Sequence, residues 1–438
     1  MKTRKVLTCK LVIILALLMV SATIAGQQYE KVFRHTFNAE KNAKVIIGNY
    51  DTDLEIMTWD KPKVEFHMII DATISDPDDA ELLDNYIESI GYENTPGLIS
   101  IETRFWKSIN NIMGFTRMKL KNNETIRIKK FNMVCKLWIP EDASLGLKSR
   151  YSEINMEDIG GNLVLELYDD ELLAGKVKGK SNIEARYSEM NFTGMSDLKA
   201  DIYNCELTTG DAGNINITTK YSEIHSGNVG TLNIDSYEDD FSFDSCEDIK
   251  FIAKYSEFTT GKAGRLVAEN YECEFMAESV SDARIDTKYS EFIITSAGNI
   301  IISSSYEDSF ETGMLGSLKV KETKYGEYDF GQVMEKITID SGYEDDISVD
   351  MLGENFRSLM IDGKYLEIDL GLSSNYDCRL LASIKYHEFD IGEDVFRIVK
   401  HIEDGSSLEY EGIKGTEKEG MPQLRISGYE VDLSVSEY

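Results

Sequence analysis

Between Pro140 and Pro422 the chain contains no proline, and the other three, Pro62, Pro77 and Pro96, lie near its start. Proline cannot donate to a strand ladder, so its absence leaves that long stretch free to form continuous sheet. Cysteine supplies no framework either. After the opening segment come Cys135, Cys205, Cys246, Cys273 and Cys378, an odd number without a C-x-x-C pair. They read as small buried hydrophobes rather than as bridges or metal ligands. The five histidines, His35, His67, His225, His387 and His401, are scattered, with no HExxH and no cysteine partners. No zinc site is expected from them. The chain also lacks GxSxG, GxxxxGK[ST], a GxGxxG opening a helix, and the calcium-binding GGxGxD nonapeptide.

Only one apolar run is long enough to notice. Lys2, Arg4, Lys5 and Lys10 precede residues 11–20, followed by small residues around Ala22 and Ala25. This pattern predicts a secretory signal peptide over residues 1–25. The run is too short for a transmembrane helix, and no later segment approaches the length needed. Cys9 lies before the run rather than after it, which argues against a lipoprotein. The expected location is exported: periplasmic, cell-surface or secreted.

Basic residues are scarce. Lys and Arg number 46 against 78 Asp and Glu, a formal charge of −32. Removing the four basic residues of the leader leaves 42 against 78, or −36. Such a surface repels nucleic acid and anionic membranes. Disorder is the other reading of so acidic a chain, but a hydrophobic content of 42% and 23 tyrosines oppose it.

What the chain has in abundance is a repeat. Tyr221, Tyr237, Tyr255, Tyr271 and Tyr289 are each followed at once or within two places by acid, with spacings that alternate 16 and 18. The apolar residues do not limp. Met190, Leu207, Ile224, Phe241, Phe258, Phe275 and Phe292 recur every 17 residues. So do Leu198, Ile215, Leu232, Ile249, Leu266 and Ala283, and so do Met195, Ala212, Val229, Cys246, Ala263, Val280 and Ala297. One such unit cannot bury enough apolar surface to offset the entropy of ordering it. Stacking must supply the rest, which is the logic of a solenoid. The fold class expected is all-β: a single-stranded parallel β-helix of about 17 residues per coil with an N-terminal α/β capping region.

Aligned on the apolar columns, Lys220, Tyr237, Lys254, Tyr271, Lys288 and Tyr306 form one column. Tyr221, Glu238, Tyr255, Glu272, Tyr289 and Glu307 form its neighbour. Stacked strands lie about 4.8 Å apart. Interleaving Lys with Tyr and Tyr with Glu avoids like-charge ladders and permits cation–π contact. Two columns resist this account. Glu223, Asp240, Glu257, Glu274 and Glu291 stack acid on acid, and Asp239 and Asp308 share an inward position with Ser222, Ser256 and Cys273. Either those two aspartates cap backbone groups at a corner, or the inward parity slips there.

The regular solenoid is assigned to residues 148–347. Residues 348–438 read as irregular coils with insertions, and 405–423, rich in glycine, as a long loop. Residues 27–147 form the cap, with strands either side of a turn at Asp60, Lys61 and Pro62. A helix is expected near 78–90, opened by Asp76 and Pro77 and stopped by Gly91. Two cap segments, NYDTDLEIMTWDKPKVEF and LWIPEDASLGLKSRYSEI, with the ladder after them, resemble a family of bacterial β-strand-repeat proteins. That family is grouped with proposed auto-transporter adhesin head domains of the GIN type. The resemblance implies a β-solenoid at the cell envelope and brings no catalytic signature with it. The Lys/Tyr/Glu checkerboard here is stricter than that family leads one to expect.

Functionally, the repeat presents one surface many times, whereas an enzyme breaks its repeat at one special place. A non-enzymatic, adhesin-like scaffold for a glycan or envelope-protein partner is therefore expected, the alternative being a β-helix polysaccharide lyase or hydrolase. No cofactor is expected, although the acidic ladder could take Ca²⁺ through oxygen ligands; a solvated acidic stripe is the plainer account. One basic segment stands out. Residues 104–130 carry eight basic residues and one acid, with Arg104, Trp106, Lys107, Arg117, Lys119 and Lys121 as candidate contact residues. Phe105, Trp106, Ile109, Ile112 and Met113 fall at helical spacing, so an amphipathic contact element is one reading and a strand and loop packed on the cap the other.

Overall fold

The computed structural model describes residues 27–438 apart from 113–114 and 393–394, so the signal peptide expected over residues 1–25 lies outside the described residues. The chain folds as a β-solenoid of about 13 turns with about 18 residues to a coil. It divides into two compact units, residues 1–180 and 181–438. Among the described residues no helix is long and apolar enough to cross a membrane.

In the first unit, strands Gln27–Asn38, Lys63–Ile74 and Thr125–Pro140 form an antiparallel layer. Lys63–Ile74 buries every second side chain, as a half-covered sheet requires. Helix Pro77–Glu88 begins where Asp76 accepts from the Asp78 amide, 3.2 Å away, and buries Leu83 and Ile87. It stops at Ser89 rather than at Gly91. The parallel ladder starts here too: Lys44–Gly48 pairs with Ser144–Arg150, and Asp53–Trp59 with Glu153–Met156. Residues 104–130 do not contain the helix that their spacing allows. Trp106–Ile112 and Phe115–Leu120 are the arms of an antiparallel hairpin, and the latter strand pairs with Thr125–Pro140. Met113, invoked in the helical reading, lies outside the described residues.

From Glu223 to Lys288 each coil of the second unit is one long bent strand followed by a two-residue corner. Glu223–Tyr237, Asp240–Lys254, Glu257–Tyr271 and Glu274–Lys288 pair in parallel with an offset of 17. Phe241, Phe258, Phe275 and Phe292 are buried and stacked ring on ring, Phe258 and Phe275 at 5.1 Å. Each strand changes inward parity where it bends. Gly264 and Gly298 occupy such bends, where an added Cβ would lie 2.3 and 2.2 Å from the carbonyl oxygens of Glu247 and Ser281. Later coils widen, because Phe292 pairs with Phe310, Tyr328 with Ile347, and Ile347 with Ile368.

The glycine-rich residues expected as a loop contain a strand. Ser407–Lys414 is a strand, antiparallel to Cys378–Ile391 on one side and Arg397–Asp404 on the other. Leu408, Tyr410 and Ile413 are buried in it. Gly405 and Gly415, at φ of 62° and 76°, bound the strand rather than dissolve it.

Candidate binding surface along the tyrosine column

Every corner of the second unit's coils places one residue in the left-handed backbone region. In order these are Tyr187, Asn204, Tyr221, Glu238, Tyr255, Glu272, Tyr289, Glu307, Tyr325, Glu344, Tyr365, Tyr386 and Glu430. For residues other than glycine such a conformation costs about 1–2 kcal/mol each, so the corner must be held by its neighbours.

What holds it is the buried residue that follows. The Cys205 amide donates to Ser222 Oγ at 3.2 Å, the Ser222 amide to Asp239 Oδ1 at 2.8 Å, and the Asp239 amide to Ser256 Oγ at 3.2 Å. The Cys273 amide donates to Ser290 Oγ at 3.1 Å and the Ser290 amide to Asp308 Oδ1 at 2.8 Å. A side chain from one coil thus satisfies a buried amide of its neighbour, which accounts for the small polar residues there. Asp239 also accepts from Thr219 Oγ1, Ser236 Oγ and the Tyr237 amide, and Asp308 from Thr287, Ser305 and the Tyr306 amide. The inward parity is therefore correct, and the aspartates are corner caps. Burial pushes Asp239 and Asp308 above the ordinary carboxylate range and Asp345 up to about 6, with hydrogen bonds from the surrounding donors opposing the shift.

The corners set the tyrosines. Lys220, Tyr237, Lys254, Tyr271 and Lys288 do pair in backbone register. Yet the rings do not interleave with lysine. Thirteen tyrosines, from Tyr187 through Tyr203, Tyr221, Tyr237, Tyr255, Tyr271, Tyr289, Tyr306, Tyr325, Tyr343, Tyr365 and Tyr429 to Tyr386, meet edge to face with centroids 5.1–5.9 Å apart. A tyrosine at a left-handed corner touches one that ends a strand in the adjacent coil. Each contact contributes about 0.5–1.5 kcal/mol beyond the area it buries. Cation–π contact is the minor theme: Lys220 lies 5.7 Å from the Tyr237 ring and Lys385 5.6 Å from that of Tyr386. The column is half open to solvent, with Tyr221 43%, Tyr255 40% and Tyr289 39% exposed.

Glu238, Glu272 and Glu307 stand at the corners between the tyrosines. Desolvation and Glu238 push the Tyr237 hydroxyl above its ordinary value; at Tyr306 the hydrogen bond to Glu307 is the largest cause. Beyond the corner runs the acidic column, with Glu206, Glu223, Asp240, Glu257, Glu274 and Glu291 in successive backbone register. Desolvation, then Glu257 and Glu291, raise Glu274 above the usual carboxylate range. Glu223 of this column lies 2.7 Å from His225 Nε2. A shallow groove lies between the two columns, lined by Tyr255, Glu257, Glu272, Glu274, Tyr289 and Glu291 among others. Among the described residues no group of three or more His, Cys, Asp or Glu side chains converges to hold a metal.

In the first unit Tyr50, Tyr151 and Tyr168 repeat the edge-to-face motif, each step at 5.7 Å. Arg104 lies over Tyr50 at 4.1 Å and donates to the Lys107 carbonyl, and Lys107 reaches Asn123 at 2.6 Å. Trp106 is only 3% exposed and packs on Phe105 and Phe131. It is core, so contact by this segment falls to Arg117, Lys119 and Lys121, which are exposed and alternate with buried Met118 and Leu120.

No protein-family model and no curated protein matches the chain. Among solved structures it is similar to a proposed cell adhesion protein of Clostridium sporogenes ATCC 15579, at 9% identity over 94% of this chain and 100% of that one, with a TM-score of 0.17. It is also similar to a proposed adhesin of Parabacteroides merdae ATCC 43184, at 9% identity over 68% of this chain and 96% of that one, with a TM-score of 0.22.

Proposed function

We propose that this protein is an exported, non-enzymatic, adhesin-like scaffold that presents its tyrosine column to an extended partner at the cell envelope. The observation that carries the reading is the continuity of the column: thirteen half-open aromatic rings in one line, each equivalent to the next but one. A flat apolar ring with a polar tip suits a glycan chain or an extended polypeptide. The neighbouring acids favour a neutral or cationic partner over an anionic one. The same Tyr and Glu corners recur along the solenoid, and a surface presented many times supports a scaffold reading.

The test pairs a glycan array with a pulldown from envelope fractions, using the secreted chain and a variant carrying Tyr221→Ser, Tyr255→Ser and Tyr289→Ser. The reading expects a retained ligand that the variant loses while keeping its β-sheet circular dichroism. A variant that binds as well as the parent would overturn it, as would catalytic turnover of any glycan retained.

A further inference from the structure

Within the second unit the tyrosine column runs without a gap. From Tyr187 to Tyr386 each of its thirteen rings meets the next, with centroids 5.1–5.9 Å apart at every step. Two kinds of ring alternate through its middle. Tyr221, Tyr255, Tyr289 and Tyr325 occupy corners and are exposed, whereas Tyr237, Tyr271, Tyr306 and Tyr343 end strands and are half-buried. Each hydroxyl of the second kind donates to the carboxylate of the residue after it: Tyr237 to Glu238, Tyr271 to Glu272, Tyr306 to Glu307 and Tyr343 to Glu344. Ligand binding does not call for that pairing, because it occupies the polar tip that a ligand would use.

Electron transfer is the chemistry that such an arrangement suits. A phenol gives up one electron readily only when its proton leaves with it, because the phenol radical cation is a strong acid. Desolvation and the adjacent glutamates hold Tyr237, Tyr271 and Tyr343 in the protonated form. Their protons therefore need a base within hydrogen-bond reach, and the following glutamate is in that position. Rings in edge-to-face contact set the next electron donor directly beside each oxidised one. The exposed corner rings, with Tyr386 at one end of the column, are open to an oxidant arriving from solution.

We propose that the tyrosine column carries a single oxidising equivalent along the second unit, received from a one-electron oxidant of the ferryl-haem class that peroxide generates. The oxidant takes one electron from an exposed ring and is reduced by one unit. The phenolic proton passes to water, which leaves a neutral phenoxyl radical. The ring beside it then supplies the electron that refills the first, and a proton from water restores the first hydroxyl. Where the donor is Tyr271 or Tyr306, its own proton moves to Glu272 or Glu307 and returns when the radical moves on. No bond between heavy atoms forms or breaks, and each step conserves electrons and protons. This is an activity of the column beyond presenting it to a partner, and it stands whatever the column binds.

The experiment uses the full secreted chain with a ruthenium polypyridyl photo-oxidant tethered at Lys385→Cys, beside Tyr386, and persulfate as electron acceptor. All five described native thiols are buried, so the tether marks the new one. 3-Aminotyrosine, more easily oxidised than tyrosine, replaces Tyr221 as a distant trap. After a flash, electron paramagnetic resonance should show the aminotyrosyl radical at position 221. In Tyr289→Phe/Tyr306→Phe the rings remain but the oxidisable hydroxyls are gone, so the radical should be lost with circular dichroism unchanged. In Glu272→Gln/Glu307→Gln it should arrive more slowly, because the proton acceptors are removed. Should the first phenylalanine pair fail to fold, Tyr255→Phe/Tyr271→Phe interrupts the same line. A parent without the radical at 221 overturns the proposal. So does a phenylalanine pair that passes it undiminished, or a glutamine pair as fast as the parent; the column then only stacks.

Discussion

Tyr255 and Tyr271 meet edge to face at 5.7 Å, although one occupies a left-handed corner and the other ends a strand in the adjacent coil. Tyrosine therefore shifts one place along the chain in alternate coils while its ring keeps its place in the column. Strain at the corner and gain at the ring are joined in the same residue, and substitution can separate them.

Glu272, at φ 49°, bears the corner strain without a ring contact. Glu272→Gly should raise stability by about 0.5–1 kcal/mol, the left-handed penalty relieved less the entropy glycine adds to the unfolded chain. Tyr255→Gly relieves the same strain but loses contacts to Tyr237 and Tyr271, at about 0.5–1.5 kcal/mol each, and should show no gain. Urea midpoints of the two variants check the order. A stabilised Tyr255→Gly would mean the ring contacts add nothing.

Phe258 is fully buried between Phe243, Phe251 and Phe275. Phe258→Ala should cost about 3–5 kcal/mol as a core truncation, and Tyr255→Ala clearly less. Equal losses would place the two side chains in equivalent surroundings, against the burial described.

Asp345 caps a corner by accepting from Thr323 and from the amides of Gly326 and Tyr343. Its folded value of about 6 lies above the ordinary 3.8, so the folded chain holds the proton more tightly than the unfolded one. Stability from this group is full below about pH 4 and is lost as pH rises towards 6. Asp170, likewise about 6, acts in the same direction. Urea midpoints should fall from pH 4 to pH 6 and then level; a rise over that window would contradict the shift. Asp345→Asn should lessen the fall and cost about 1–3 kcal/mol at neutral pH, because its amide cannot accept from every donor present.

Cys205 and Cys273 are four coils apart, roughly 19 Å at about 4.8 Å per strand, beyond the reach of a bridge. Mass spectrometry of the unreduced, unfragmented chain should find no disulfide between them. All five described thiols are buried, and burial pushes those of Cys246 and Cys378 up to about 12. Iodoacetamide should label them only after unfolding. Rapid labelling of the native protein would dismiss the coil assignment.

Arg117→Glu, Lys119→Glu and Lys121→Glu together should leave the fold intact, since each side chain is exposed beside buried Met118 and Leu120. If residues 104–130 engage an acidic partner, the reversal should abolish a salt-sensitive interaction in an envelope pulldown. Undiminished binding at low salt would assign that role elsewhere. Trp106, being buried, is a poor reporter for this experiment.

The apolar columns were legible because a coil repeats its inward positions at a constant interval, and the residues at those positions are large. Phe241 through Phe292 needed nothing more. The purpose of the checkerboard was not legible, since register alone sets Lys254 beside Tyr271. Only the left-handed turn at Tyr255 brings the rings together. Asp239 and Asp308 looked anomalous because half of their donors, Thr219 and the Ser222 amide, or Thr287 and the Ser290 amide, come from the coil before. Ser407–Lys414 was hidden by its flanking glycines, which mark the ends of a strand as readily as a loop.

The alternating corners restrict how this chain can gain or lose length. Excising residues 238–254, one coil of 17, would join Tyr237 directly to Tyr255 and put two tyrosines on a single corner. Excising residues 238–271, two coils and 34 residues, would join Tyr237 to Glu272 and leave a corner of the ordinary kind. Insertions and deletions in this region are therefore tolerated in coil pairs, and a gene lengthened by duplication would grow two coils at a time.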